Sequence, residues 1–304
     1  MVAIVASTAI ALFSCKKQSA SIDNSAQVLV QSDDQSRFST ETDDVSNDAN
    51  AALENMGGSY NGDMPMTPTL PINCDASVSV DTVSVPRRIT ITYNGASCNP
   101  NRTRTGTVVV SFAPGFRWGQ AGAQYSVLYQ NLRITRTSDN KSIVINGEKT
   151  VKNISGGRLR NLATAGTSIV HEVRGSNMSI TFDDGSQRTW KFARRRTFTY
   201  ANGIVLSITG IAPQGAGISE WGTNRYGSAF TSTITEPLVI RQSCNFRLVS
   251  GQVRNETSLA TTTITMGLDA SGNPVSSCPS GTFYYKVVWT GPAGVSYTRI
   301  APYW

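Results

Sequence analysis

Trp190-Lys191-Phe192-Ala193-Arg194-Arg195-Arg196-Thr197-Phe198-Thr199-Tyr200, then Ala201-Asn202-Gly203, then Ile204-Val205-Leu206-Ser207-Ile208, is the stretch that decides the fold. Bulky side chains recur at alternate positions, which is the period of a strand, and Asn-Gly between two such runs marks a hairpin. The same pattern continues in both directions. Upstream lie alternating runs over 77–80, 88–93, 108–112, 125–134, 142–145 and 178–182; downstream lie 230–234, 246–253, 261–266 and 283–289. Turn signals such as Asn94-Gly95, Asn146-Gly147, Asp183-Asp184-Gly185 and Ser271-Gly272-Asn273-Pro274 separate them. Their spacing of about ten residues leaves no room for crossover helices. The expected class is therefore all-β, with antiparallel meander or sandwich-like sheets. Alternation leaves one face of each strand wet. The other must be hidden by a second sheet packed on the first or by the curl of a single sheet.

Charge divides the 304-residue chain unevenly. Residues 16–70 carry three basic side chains against nine acidic ones, a balance of −6, whereas 71–304 carry 24 against 11, a balance of +13. The break falls at Met64-Pro65-Met66-Thr67-Pro68-Thr69-Leu70-Pro71. The acidic segment 16–70 is rich in Ser, Asp, Asn and Gln. It holds too little apolar surface to offset the entropy of ordering, so it is expected to be a disordered tether to the β domain at 71–304. A short helix is predicted over 43–56, where Val45, Ala49, Ala52 and Leu53 have helical spacing, with a role that is local at most.

Val2 to Phe13 is an uncharged apolar run, too short to span a bilayer as a helix, and Leu12-Phe13-Ser14-Cys15 follows it. This resembles the lipobox of bacterial lipoproteins. The resemblance implies a signal peptide over 1–15 and acylation of Cys15, giving membrane attachment through several acyl chains. Lys16 stands where an aspartate retains some lipoproteins at the inner membrane, so the outer membrane is the expected location. Export also means an oxidising compartment, in which the four remaining cysteines read as disulfides. Cys74 and Cys98 bracket the strand pair 77–82 and 87–93; Cys244 and Cys278 each precede a C-terminal strand. The expected pairs are Cys74–Cys98 and Cys244–Cys278.

Several segments of the body, in order, resemble a family of uncharacterised β-rich lipoproteins of Bacteroidota. They are Ile89 to Cys98 leading into Arg102-Thr103-Arg104-Thr105-Gly106, then Asn146 to Asn153, then Asp183-Asp184-Gly185 with Thr189-Trp190 through Arg194 and Arg196. Last come Gly222-Thr223-Asn224-Arg225-Tyr226-Gly227 through Ser243-Cys244. Tyr93-Asn94 departs from the family's Asp-Phe, and the acidic turn before the last cysteine is missing. The resemblance implies an exported, lipid-anchored all-β protein. It carries no assigned activity and no functional residues.

Candidate chemistry is sparse. His171 is the only histidine, so a Ser-His-Asp or Cys-His enzyme would depend on it and a His-rich metal site is excluded. Asp183-Asp184 offers two carboxylates to a cation but sits where a hairpin turn is expected. Asp81, Glu172, Glu220 and Glu236 are further carboxylates with nothing to pair them as a glycosidase requires. Trp190, Arg194 and Arg196 share one strand face with Phe192 and Phe198, and an exposed strip of this kind would hold acidic glycans or phosphates. The alternative is a face whose arginines pair with acids or reach past rings to water. Five tryptophans, Trp289 among them, could include a sugar-stacking platform or could be core. No cofactor, metal or nucleic acid is expected. The leading expectation is a lipid-anchored envelope protein with a structural or interaction role and no enzymatic one; the second is a binding module for acidic glycan or lipopolysaccharide phosphate.

Overall fold

In a computed structural model, the alternating runs pair into one antiparallel sheet of fourteen strands. The structure describes residues 30–31, 33–34, 37–38, 41–42, 44–46, 48–49, 52–53, 74–97, 100–275, 278, 281–291 and 294–303. The strands are β1 (Ala76–Asp81), β2 (Arg87–Asn94), β3 (Arg102–Phe112), β4 (Gln124–Arg136), β5 (Ser142–Asn153), β6 (Ile169–Phe182) and β7 (Gln187–Tyr200). After them come β8 (Ile204–Gly210), β9 (Ile218–Thr223), β10 (Ala229–Arg241), β11 (Arg247–Thr257), β12 (Thr261–Leu268), β13 (Phe283–Thr290) and β14 (Ser296–Tyr303). Each strand pairs with the next in sequence except β8, which pairs with β7 and β10; β9 lies off the main path and pairs with both β10 and β7. All the strands belong to one sheet, and its apolar face is covered in part by described residues of the N-terminal segment.

The hidden face is continuous across β2 to β7. Ile89 and Ile91, Val108 and Val110, Val127 and Leu132, Ile143 and Ile145, and Met178, Ile180 and Trp190 belong to one buried cluster. Curvature comes from a line of bulges. The register slips between Thr105 and Thr107, Tyr129 and Leu132, Asn146 and Lys149, and Gly175 and Met178, in four consecutive ladders. Extra residues at these points bend the strands and increase their twist. Gly106 (φ +106°) and Gly147 (φ +121°) make two of the slips possible. A Cβ on the first would strike the carbonyl of Asn131, and on the second that of Asn177. The Asn202-Gly203 signal closes the β7–β8 hairpin with both residues at positive φ, and Asp183-Asp184-Gly185 forms the β6–β7 turn.

The acidic segment holds the main difference from expectation. Its described residues from 30 to 53 are helical, and Phe38, Val45, Ala49, Ala52 and Leu53 join the core of the sheet. The helix predicted over 43–56 therefore starts at least thirteen residues earlier, and its contacts are long-range rather than local. The tether expectation for 16–70 is corrected at these positions. Composition fails as a guide here because two stripes with a period of seven run along the segment. Phe38, Val45 and Ala52 pack on the sheet, while Asp34, Glu41 and Asp48 are buried against it with partners. Residues 16–29 and 54–70 lie outside the described residues, as do the signal expected over 1–15 and Cys15.

Cys244 and Cys278 form the expected disulfide, with Cα atoms 5.4 Å apart. Cys74 is also disulfide-bonded; its expected partner Cys98 lies outside the described residues.

Candidate functional site: a basic groove that holds an acidic helix

On the hidden face, β3 supplies Arg102 and Arg104, β5 supplies Lys149 and β7 supplies Arg188, while Arg225 stands in the β9–β10 turn. Basic groups thus occur on every second strand, about 9.6 Å apart by strand spacing. Seven residues of α-helix advance about 10.5 Å. A helix crossing the strands can therefore meet more than one basic strand along its length.

Asp34 meets the β9–β10 turn, Thr42 and Ser46 meet β5, and Glu41, Asp44 and Asp48 all meet β3. Arg225 donates from Nε and Nη2 to the two carboxylate oxygens of Asp34 at 2.8 and 2.6 Å, and its guanidinium lies 3.5 Å from the ring centroid of Phe182. Phe38 stacks on Trp190 with centroids 3.8 Å apart, and on that same indole Arg188 lies at 3.7 Å. Lys149 Nζ donates to the carbonyl of Thr42 at 2.7 Å and to Ser46 Oγ at 2.6 Å. Arg102 pairs with Glu41 at 2.8 Å and Asp44 at 2.7 Å. Arg104 donates to Asp48 at 2.9 Å and, through two nitrogens, to Asp75 at 2.7 and 2.9 Å; Tyr93 Oη donates to Asp48 at 2.8 Å. Arg37 reverses the polarity by donating to the carbonyls of Ile134 and Lys141.

Burial governs the electrostatics. It raises the carboxyl pKa values of Asp34 and Glu41, with Arg225 and Arg102 opposing it. It lowers the Arg188 guanidinium to about 9. Burial, then the charge of Asp48, pushes the Tyr93 hydroxyl far above the usual tyrosine range. Charges taken this far out of water are tolerated only with close partners, and loss of one partner is costly. The arrangement grips carboxylates. Its paired and forked geometry suits a carboxylate- or phosphate-bearing segment.

The residues singled out in the sequence are placed differently. Trp190 is 0% exposed, Arg194 8% and Arg196 7%, so they form no exposed anion-binding strip. The reading of one shared face is correct: Phe192 and Phe198 are buried beside them, and Arg195 points outward to Glu172 at 2.8 Å. The strip is closed because Arg194 pairs with Glu220 of β9, and Arg196 sits opposite His171 in the β6–β7 ladder. His171 is buried between Trp118 and Phe198, with centroids 4.8 and 5.1 Å away; burial and then Arg196 depress its pKa to about 4. Asp183 accepts from the backbone and hydroxyl of Ser142, and Asp184 accepts from Ser186, so both brace the β6–β7 turn. Asp81 accepts from the amides of Val83 and Ser84 in the next turn. Among the described residues no group of three His, Cys, Asp or Glu could hold a metal ion.

The groove itself went unforeseen. The one signal that could have found it is the recurrence of acids at 34, 41 and 48 in step with apolar residues at 38, 45 and 52. Comparison with known proteins finds no matching family model, no matching curated protein and no matching solved structure.

Proposed function

We propose that this is a lipid-anchored protein of the cell envelope, attached to the outer membrane through Cys15, with a structural or interaction role rather than an enzymatic one. The observation that carries this reading is the grip of the sheet on residues 30–53. The buried cations of β3 and β5, with Arg225, are committed to a segment that follows Cys15 by only fifteen residues, and so they join the body to the proposed anchor. The disulfide at Cys244–Cys278 supports folding in an oxidising compartment. Labelling cells with a fatty-acid probe tests the reading. The label is expected in the outer-membrane fraction and absent from Cys15→Ala. Recovery of unlabelled protein with reduced thiols in the cytosol overturns it.

A second reading, binding of acidic glycan or lipopolysaccharide phosphate, is favoured by the forked hold of Arg225 on Asp34 and of Arg104 on Asp75. Phosphate fits the same fork. Such a ligand would have to replace the carboxylates these arginines already hold, so its binding should strengthen when Asp34 and Asp75 are changed to Asn, and weaken with salt.

A further inference from the structure

β14 ends the path of strands and, among the described residues, pairs only with β13. The hairpin turn fixes which of its backbone groups face outward. Gly291 N–H donates to the Val295 carbonyl at 3.0 Å, so Val295 turns its hydrogen-bonding groups towards β13. Eight pairs follow without a register shift, from Thr290–Ser296 to Phe283–Tyr303, and inward and outward positions alternate along them. Ser296, Thr298, Ile300 and Pro302 therefore present their backbone groups to the open edge. Pro302 has no N–H, so the open donors are those of Ser296, Thr298 and Ile300. Outer strands are usually guarded by shortness, bulges or charge. β1, at the other end of the path, is six residues long and ends in Asp81. β14 is eight residues long, has no bulge and carries one charge, Arg299. Ser296 to Ile300 are all exposed, Tyr297 at 73%, and Val295 just before them is 62% exposed.

The three open donors are centred on Thr298, and the side chains around them are complementary to their own copy. Two β14 strands laid antiparallel about that residue set Thr298 opposite the partner's Thr298 and Ser296 opposite the partner's Ile300, each pair exchanging both its backbone bonds. Tyr297 then falls opposite the partner's Arg299, at a position without backbone bonds, where side chains come closest; a guanidinium suits an aromatic ring there. Val295 falls opposite the partner's Ala301. These side chains share one face, so the register that satisfies the donors also covers the two most exposed apolar residues of the hairpin. Sliding one copy by two residues sets Arg299 against Arg299, or leaves Ile300 beyond the end of the partner strand. We propose that two copies of this chain pair through β14, antiparallel about Thr298, and so join their sheets. The contact is one strand wide, which makes the pairing reversible. The inference stands whether or not Cys15 is acylated.

The test is sedimentation equilibrium of the full chain carrying Cys15→Ala, so that no acyl group contributes. A monomer–dimer equilibrium with a Kd below about 100 µM is expected. Thr298→Pro removes an outward N–H and leaves the β13 ladder whole, while Tyr297→Lys, at an exposed position that spares the fold, sets an ammonium against the partner's Arg299. Each should raise the Kd at least about tenfold with the Tm unchanged. Tyr297→Glu should lower the Kd, since it gives the same arginine a carboxylate. Facing residues at a hydrogen-bonded position have Cα atoms about 5.5 Å apart, within disulfide reach, so Thr298→Cys should form a disulfide-linked dimer on mild oxidation and Ser77→Cys, exposed on β1, should not. The proposal is overturned if the chain stays monomeric at about 1 mM. It is equally overturned if Thr298→Pro and Tyr297→Lys leave the Kd unchanged, or if Ser77→Cys cross-links in place of Thr298→Cys, since a dimer built on another surface would do that.

Discussion

Phe38, from the acidic N-terminal segment, lies stacked on Trp190, the fully buried indole of β7, with 3.8 Å between ring centroids. That pair fastens the segment at its apolar stripe. Replacing Phe38 with Ala removes a buried aromatic and should cost about 3–5 kcal/mol in denaturant unfolding. Residues 30–53 should also become susceptible to limited proteolysis before the sheet does.

The acidic stripe is expected to behave as a coupled unit. Arg104 is shared by Asp48 and Asp75 in a buried site, so Arg104→Ala strands two carboxylates and should destabilise by about 3–5 kcal/mol. In a double-mutant cycle of Arg104→Met with Asp48→Asn, the combined loss should be smaller than the sum of the single losses. Additive losses would show that the pair does not couple.

His171 sets an acid limit. Its pKa falls from 6.5 to about 4 because burial and Arg196 disfavour the imidazolium. The unfolded chain therefore binds more protons between those values, and stability falls as pH drops from 6.5 towards 4. At about 1.4 kcal/mol per unit, the loss is about 3 kcal/mol over that window. His171→Phe should flatten this part of the stability–pH curve, which urea unfolding at successive pH values measures. Below pH 4, Asp81, held at about 2 by Ser84, and Asp139, held down by Arg136, contribute to the further decline in both proteins, together with Asp183 and Glu172, whose pKa values are lowered by Ser142 and Arg195.

Gly106 carries the bend between β3 and β4. Gly106→Ala places a side chain at positive φ against the Asn131 carbonyl and should lower stability by about 1–3 kcal/mol, read as a fall in Tm. Gly115→Ala, also at positive φ but with open space around it, should fall less.

Local signals were legible in the sequence and distant pairings were not. The alternation of Trp190 to Tyr200 gives both the strand and its buried face, Asn202-Gly203 gives the hairpin, and the spacing of late strands gives Cys244–Cys278. Nothing near Arg194 announces Glu220, because β9 leaves the meander and returns to pair with β7. Asp34 and Arg225 are 191 positions apart, so no window of sequence shows them together. An acidic, polar segment looks unable to fold when its own apolar content is weighed alone. Here the missing stabilisation is supplied by cations spaced across a sheet that begins at residue 76.

The early start of the helix limits how far the body can stray. A stretched chain from Cys15 to residue 74 could reach about 200 Å, whereas one from Cys15 to residue 30 reaches about 50 Å at most. If Cys15 is acylated as proposed, the clamp would shorten the leash fourfold and hold the sheet close to the headgroups.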